Sequence, residues 1–337
     1  MNLLFLTYHL PSPREPGTSR PWQVAQIFKE LGYRVTVVTG GRNYLTGELT
    51  RPPGIKPWVK EEAQGITILK TYIPPEHRRS KATRLFTYAL YSLISFAAGL
   101  TVPRPDILIV GCDVPTLVPP AIALAKLYRA RLILEEREIF PEAAAAVGFT
   151  HNKAILLLVD KILRLCRSQA ERFITVSPTN KELLIKKGIK PHHIFVITNA
   201  FLEELSTDGL ALPAEVEHVV TNAFVVLYAG GLGLGASEIF PVLEAAAMVQ
   251  ERQVADVRFV FLGEGERKEK YIQFCRERGI GNCIFLPLMR RELVPLILEK
   301  ASIGLHSLKR HWWTGALSTK IFEYMAHQKP VVFAGEG

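Results

Sequence analysis

The chain has 337 residues, 48% of them hydrophobic, and a formal net charge of +9. That length is too great for one ordinary domain and fits two. The charge suits an anionic partner, and dispersed basic residues without a recognised motif leave nucleic acid out and favour phosphorylated small molecules or an acidic membrane surface. Cys112, Cys166, Cys275 and Cys283 lie far apart with no C-x-x-C spacing, which excludes a zinc ribbon or disulfide framework and suits a reducing compartment. The opening "MNLLFLT" has no basic n-region and does not read as a signal peptide, so a cytoplasmic location is expected.

In chain order, "LLFLT" reads as a buried strand, and a loop rich in Pro and Gly follows. "PWQVAQIFKELG" reads as a helix, with Pro21 near its start and Gly32 at its C-terminal end. "RVTVVT" is the next strand, residues 42–64 a long loop, and "ITILK" another strand. Arg78, Arg79, Lys81 and Arg84 then precede an uncharged run from Leu85 to Leu100. The run is shorter than the ~20 residues that span a bilayer. It fits a core helix or, with its basic start, a helix lying on an anionic membrane surface. "DILIV", "RLILEE", "RFITVS" and "IFVIT" are further short strands separated by helical stretches. Alternating strands and helices predict an α/β fold with an open, mainly parallel sheet covered on both faces. Residues 201–222 lack a clean period and read as a linker between domains at 1–200 and 223–337. After it the rhythm restarts with "FVVLYAGGLGLGASE", "VRFVFLGEGE", "CIFLPL" and "SIGLHSL", and closes with the helix and strand of "STKIFEYMAHQKPVVF".

Ligands of open parallel sheets sit outside the carboxyl ends of the strands, and each candidate site lies at such an end. Gly17, Thr18, Ser19 and Arg20 follow the first strand and open a helix; they suit an anion or hydroxylated ligand, or form an ordinary loop capped by Ser19. Glu135 to Glu138, with Arg137 among them and Glu142 beyond, could handle sugar hydroxyls or a proton, or be a solvated charge run. Gly230, Gly231, Gly233 and Gly235 let a diphosphate approach the backbone. Read literally, Gly231-x-Gly233-x-x-Ala236 is also a dinucleotide fingerprint, which makes a nicotinamide-dependent oxidoreductase the alternative, although Glu264 lies too far on for its ribose acid. Lys320 stands against the positive end of a helix dipole, beside Ser318 and Thr319. A phosphate there would satisfy ammonium and dipole together. Glu323, one turn on, suits ribose hydroxyls, or else pairs with Lys320. No histidines have metal-ligand spacing, and no metal is expected.

The order of "EPGTSR", "EIFPE", "ITVSPTNKELLIKKGI", "LYAGGLG", "FVFLGEGERK" and "STKIFEYMAHQKPVV" resembles glycosyltransferase family 4, in its branch building bacterial O-antigen and exopolysaccharide units on a lipid carrier. The resemblance implies the GT-B architecture, two Rossmann-like doubly wound domains facing across a cleft. It implies a retaining enzyme without cofactor, using UDP- or GDP-sugar as substrate and a lipid-diphosphate-linked acceptor, working at the inner face of the cytoplasmic membrane. It assigns donor contacts to Gly231, Gly233, Gly263, Ser318, Thr319, Lys320 and Glu323. Gly17, Thr18, Ser19, Arg20 and Arg137 fall to the acceptor side, and Glu138 and Lys320 to catalysis. The first of the family's two glutamates would fall at Gly315, so one sugar-contacting acid is missing or replaced. The family also continues past "PVVFAGEG", so a C-terminally incomplete second domain is expected, and an inactive sugar-nucleotide-binding fragment is a further alternative.

Overall fold

The computed structural model describes residues 1–11, 15, 20–43, 47–75, 80–143, 153–201, 207–233, 237–254, 256–310, 315 and 317–335. Contacts divide the chain between Thr198 and Asn199 into two units, apart from two short exchanged segments.

The first unit runs β1 (Asn2–Leu6), α1 (Arg20–Glu30), β2 (Arg34–Gly40), β3 (Trp58–Ala63), β4 (Ile66–Thr71), α2 (Lys81–Gly99), β5 (Ile107–Gly111), α3 (Val118–Tyr128), β6 (Arg131–Glu135), α4 (Lys153–Arg167), β7 (Arg172–Thr175), α5 (Pro178–Lys186) and β8 (Ile194–Val196). Its eight strands lie in the order β3-β4-β2-β1-β5-β6-β7-β8. Strands β1 and β5 are almost wholly buried, as continuous apolar runs are when helices cover both faces of a parallel sheet. Within the stretch expected to be loop, Trp58–Ala63 forms β3, paired antiparallel to β4 at the sheet edge. Lys60 and Glu62 point into solvent there, and such charges discourage pairing with another chain.

Helix α2 starts at a reciprocal cap: the Thr83 N–H donates to Ser80 Oγ at 3.1 Å, and the Ser80 N–H to Thr83 Oγ1 at 2.8 Å. One face enters the core, where the buried Tyr91 hydroxyl donates to the Thr7 carbonyl at 2.8 Å. The opposite face carries Leu85, Phe86 (64% exposed) and Leu93 (69% exposed). No helix among the described residues is long and apolar enough to cross a membrane.

The second unit runs α6 (Ala214–Val220), β9 (Phe224–Ala229), α7 (Phe240–Glu251), β10 (Val257–Leu262), α8 (Lys268–Glu277), β11 (Cys283–Leu286), α9 (Val294–Lys300), β12 (Ile303–Ser307), α10 (Thr319–Ala326) and β13 (Val331–Ala334). Its parallel sheet has the order β11-β10-β9-β12-β13. Apolar clusters cover both faces. Tyr228, Leu243, Phe261 and Leu305 lie in one, and Leu227, Val260, Ile297 and Tyr324 in the other. The segment expected to be linker contributes to this core through Val216 and Val220 of α6. In both sheets the first strand is central and the chain winds outward first one way, then the other. This places a switch point between β1 and β5, and another between β9 and β12.

Candidate active site

At the second switch point the strands separate early. Strands β9 and β12 pair only at Val226↔Ile303 and Leu227↔Gly304. Tyr324 of α10 spans the gap beyond. Its hydroxyl accepts from the Ala229 N–H at 3.0 Å and lies 3.1 Å from the carbonyl oxygens of Leu227 and Leu305, toward which it donates. Gly304 makes this possible, because a Cβ there would strike the Tyr324 ring. The crevice is therefore floored by one buried tyrosine that satisfies backbone groups from both strands.

Two glycine loops rise from this floor, after β9 and after β10. They pack backbone against backbone: the Gly230 N–H donates to the Leu262 carbonyl and the Leu232 N–H to the Glu264 carbonyl, both at 2.9 Å. Gly263 has φ +150°, and a Cβ on it would fall on the Gly230 carbonyl oxygen. Gly263, expected among the donor contacts, thus has a steric task against its neighbouring loop. The Tyr228 hydroxyl braces the first loop from below, 2.9 Å from the Gly231 carbonyl oxygen and 2.7 Å from Ser237 Oγ. Among the described residues, no atom lies within 4 Å of where a Gly231 Cβ would stand, and for Gly233 the nearest is the Glu266 backbone nitrogen at 3.9 Å.

Lys320 lies against this loop. Its Cε and Nζ lie so close to Gly230, which has φ +155°, that a Cβ there could not be placed without displacing them. Its ammonium is 5.5 Å from the centroid of the Tyr228 ring. Ser318 caps α10, its hydroxyl accepting the Lys320 N–H at 3.4 Å, and Thr319 opens the first turn. The structure thus brings Gly230, Gly231, Ser318, Thr319 and Lys320 to one end of one sheet. Glu323 does not pair with Lys320: its carboxylate accepts from Arg291, in the turn before α9, at 3.2 Å. His306, at the end of β12, is buried beside Lys320. Glu264 of the dinucleotide reading is tied to Lys268 at 2.6 Å.

In the first unit the acidic run divides. Glu135 and Glu136 are buried and ion-paired rather than solvated. Arg20 (3% exposed) donates to Glu135 at 2.8 Å and to the Thr198 carbonyl at 2.7 Å. Arg167 grips Glu136 through two bonds of 2.9 and 2.7 Å. Each pair ties the end of β6 to another element of the first unit. Arg137 is held by Asp113, while its carbonyl accepts from Asn180 at 2.8 Å. Burial works against the Arg137 charge, but Asp113 and then Glu135 outweigh it and raise its pKa. Glu138 is the member of the run that faces solvent. Desolvation by its surroundings and then the Asp113 charge raise its carboxyl pKa against the pull of Arg137. Gly17, Thr18 and Ser19 lie outside the described residues, as do Gly235 and Ala236 of the fingerprint. Among the described residues no His, Cys, Asp and Glu cluster could hold a metal ion.

Sequence reasoning overlooked Tyr228, Tyr324, Gly304 and Arg291. Glycine in a strand was the available signal for a close approach at Gly304. The tyrosine hydroxyls, bonded to distant backbone, left none.

Two doubly wound units, the second with glycine loops and a lysine-bearing helix end at its switch point, define the GT-B class of fold. Residues 18–200 match the family described as Glycosyl transferase 4-like domain, and residues 223–336 that described as Glycosyl transferases group 1. The chain belongs to glycosyltransferase family 4, and this membership replaces the nicotinamide reading of Gly231-x-Gly233. Solved structures similar to it include sucrose-phosphate synthase from Thermosynechococcus elongatus, at 12% identity and TM-score 0.64 over 99% of this chain and 82% of that one. WaaG, a glycosyltransferase involved in lipopolysaccharide biosynthesis, is similar at 12% identity and TM-score 0.62 over 98% and 80%. HepE from Anabaena, in complex with UDP-glucose, is similar at 16% identity and TM-score 0.57 over 99% and 81%. No curated protein sequence matches the chain.

Proposed function

We propose that the protein transfers a sugar, with retention of configuration, from a UDP- or GDP-sugar to a lipid-diphosphate-linked acceptor in the synthesis of a cell-surface polysaccharide. The observation that carries the donor half is the contact of Lys320 with Gly230 at the N-terminal end of α10. Ammonium, helix dipole and open glycine backbone converge where a departing diphosphate gathers negative charge, and such fixed groups stabilise the transition state. Gly231, Gly233, Ser318 and Thr319 would line the diphosphate, and Glu323, oriented by Arg291, would take the ribose hydroxyls. HepE, similar in fold, binds UDP and glucose, which supports this reading. No cofactor or metal is assigned a step.

Glu138, with its raised carboxyl pKa and its place at the carboxyl end of the first sheet, suits proton handling at the acceptor. Arg137 orients that segment through Asp113. The exposed apolar face of α2, with Arg84 also exposed, suits docking on the inner face of an anionic membrane. The test of function is incubation with UDP- and GDP-sugars and a lipid-linked acceptor, reading the anomeric proton coupling of the product by NMR. Consumption of one donor with the donor's anomeric configuration kept is expected. An inverted product, or no donor consumed, would contradict the proposal.

A further inference from the structure

His306 is 2% exposed, and neither ring nitrogen has a hydrogen-bond partner among the described residues. A neutral imidazole carries one N–H donor and one lone pair, and buried polar groups of folded proteins are nearly always paired. The sheet itself does not need a histidine here. Its partner in register on β13 is Phe333, with ring centroids 5.6 Å apart, so an apolar side chain would serve as well.

The topology shows where the imidazole points. Leu305 packs into the cluster that holds Tyr228 and Phe261. Side chains alternate along a strand, so Gly304 and His306 face the other side, where α10 lies. Gly304 meets the Tyr324 ring. From that contact, Lys320 stands one helical turn back, about 6 Å toward the start of α10. His306 stands two residues on, about 7 Å toward the carboxyl end of β12. The two displacements match, so the buried imidazole lies near Lys320, on the α10 side of the carboxyl end of β12. Burial and then the Lys320 charge hold the His306 pKa down to about 4. The ring is therefore neutral, and its N–H is uncommitted.

We propose that His306 is a second phosphate contact in this site: its imidazole N–H donates to an oxygen of the diphosphate that Lys320 holds. The lysine supplies charge, and the imidazole supplies direction, fixing which oxygen faces the strand end. This rests on the reading of the second unit as a nucleoside diphosphate site.

The experiment titrates wild-type protein, Lys320→Ala, His306→Phe and His306→Gln with UDP, GDP, uridine and guanosine by calorimetry. With whichever diphosphate the wild type binds, His306→Phe is expected to bind about tenfold more weakly, with nucleoside affinity unchanged. His306→Gln, which keeps an N–H donor, recovers part of the loss. On the unmodified protein, the ¹⁵N resonances of the His306 ring shift with the diphosphate and not with the nucleoside, a readout independent of whether the variants fold. Diphosphate affinity of His306→Phe within about twofold of wild type, or ring resonances unmoved at saturation, would overturn the inference. If the wild type binds a diphosphate and Lys320→Ala weakens it while His306 variants do not, the inference falls and the site reading stands. If the wild type binds none, both fall.

Discussion

Replacing Tyr324 with Phe tests whether the floor of the β9–β12 crevice is held by one hydroxyl. The substitution keeps the ring that packs on Gly304 and removes the oxygen that accepts from the Ala229 N–H and donates toward the Leu227 and Leu305 carbonyls. The site is 1% exposed, so water cannot take over those bonds without opening the strands. A buried donor left without its acceptor costs about 1–3 kcal/mol, and the two carbonyls, each with a second lone pair, add less. We therefore expect the second unit to lose about 1–3 kcal/mol in urea unfolding, with an unchanged slope. Amide exchange in peptides covering β9 and β12 should speed up about five- to 150-fold, the same free energy expressed as an opening constant. A loss below about 0.5 kcal/mol, inside the usual range for neutral substitutions, would show that the strand ends hold themselves.

Gly230→Ala is expected to displace the Lys320 side chain and weaken nucleoside diphosphate binding. Gly231→Ala, with open space at its Cβ, is expected to fold as the wild type does; melting curves and titration of both variants check this. The His306 ring is neutral in the folded protein down to about pH 4, whereas the unfolded chain binds a proton near pH 6.5. Stability should therefore fall as pH drops from about 6.5 to 4, by up to about 3 kcal/mol, and His306→Gln should flatten that slope in pH-dependent unfolding. Breaking the buried Glu136–Arg167 pair by Glu136→Gln should cost about 3–5 kcal/mol, while Glu136→Leu with Arg167→Met should cost much less; equal losses would mean the charges themselves hold the strands.

Most strands of both sheets were legible because residues covered on both faces must be apolar without a break, as in "LLFL" and "ILIV". The edge strand β3 was not, since "WVKEEA" carries the charges an edge requires and so reads as loop. Helix α6 was hidden for a related reason: it is short, capped by Pro213 and buries two valines, too few to show a period. Lys320 stood out because a cation in a helix's first turn opposes the dipole, a conflict visible within a few residues. Glu135 and Glu136 misled, because their partners, Arg20 and Arg167, lie 115 and 31 residues away and leave no local mark. Glu323 was equally ambiguous: its spacing to Lys320 was right for an ion pair, yet Arg291 takes it from another element.

The central claim is that Lys320 and the Gly230 loop form the diphosphate site of a nucleotide-sugar donor. Calorimetric titration of wild type and Lys320→Ala with UDP, GDP and the corresponding nucleosides tests it most directly. A charged hydrogen bond of this kind contributes about 1.5–3 kcal/mol, so the variant should bind the preferred diphosphate about ten- to 150-fold more weakly and the nucleoside as well as wild type does. Equal loss for both ligands, or none for either, would contradict the account.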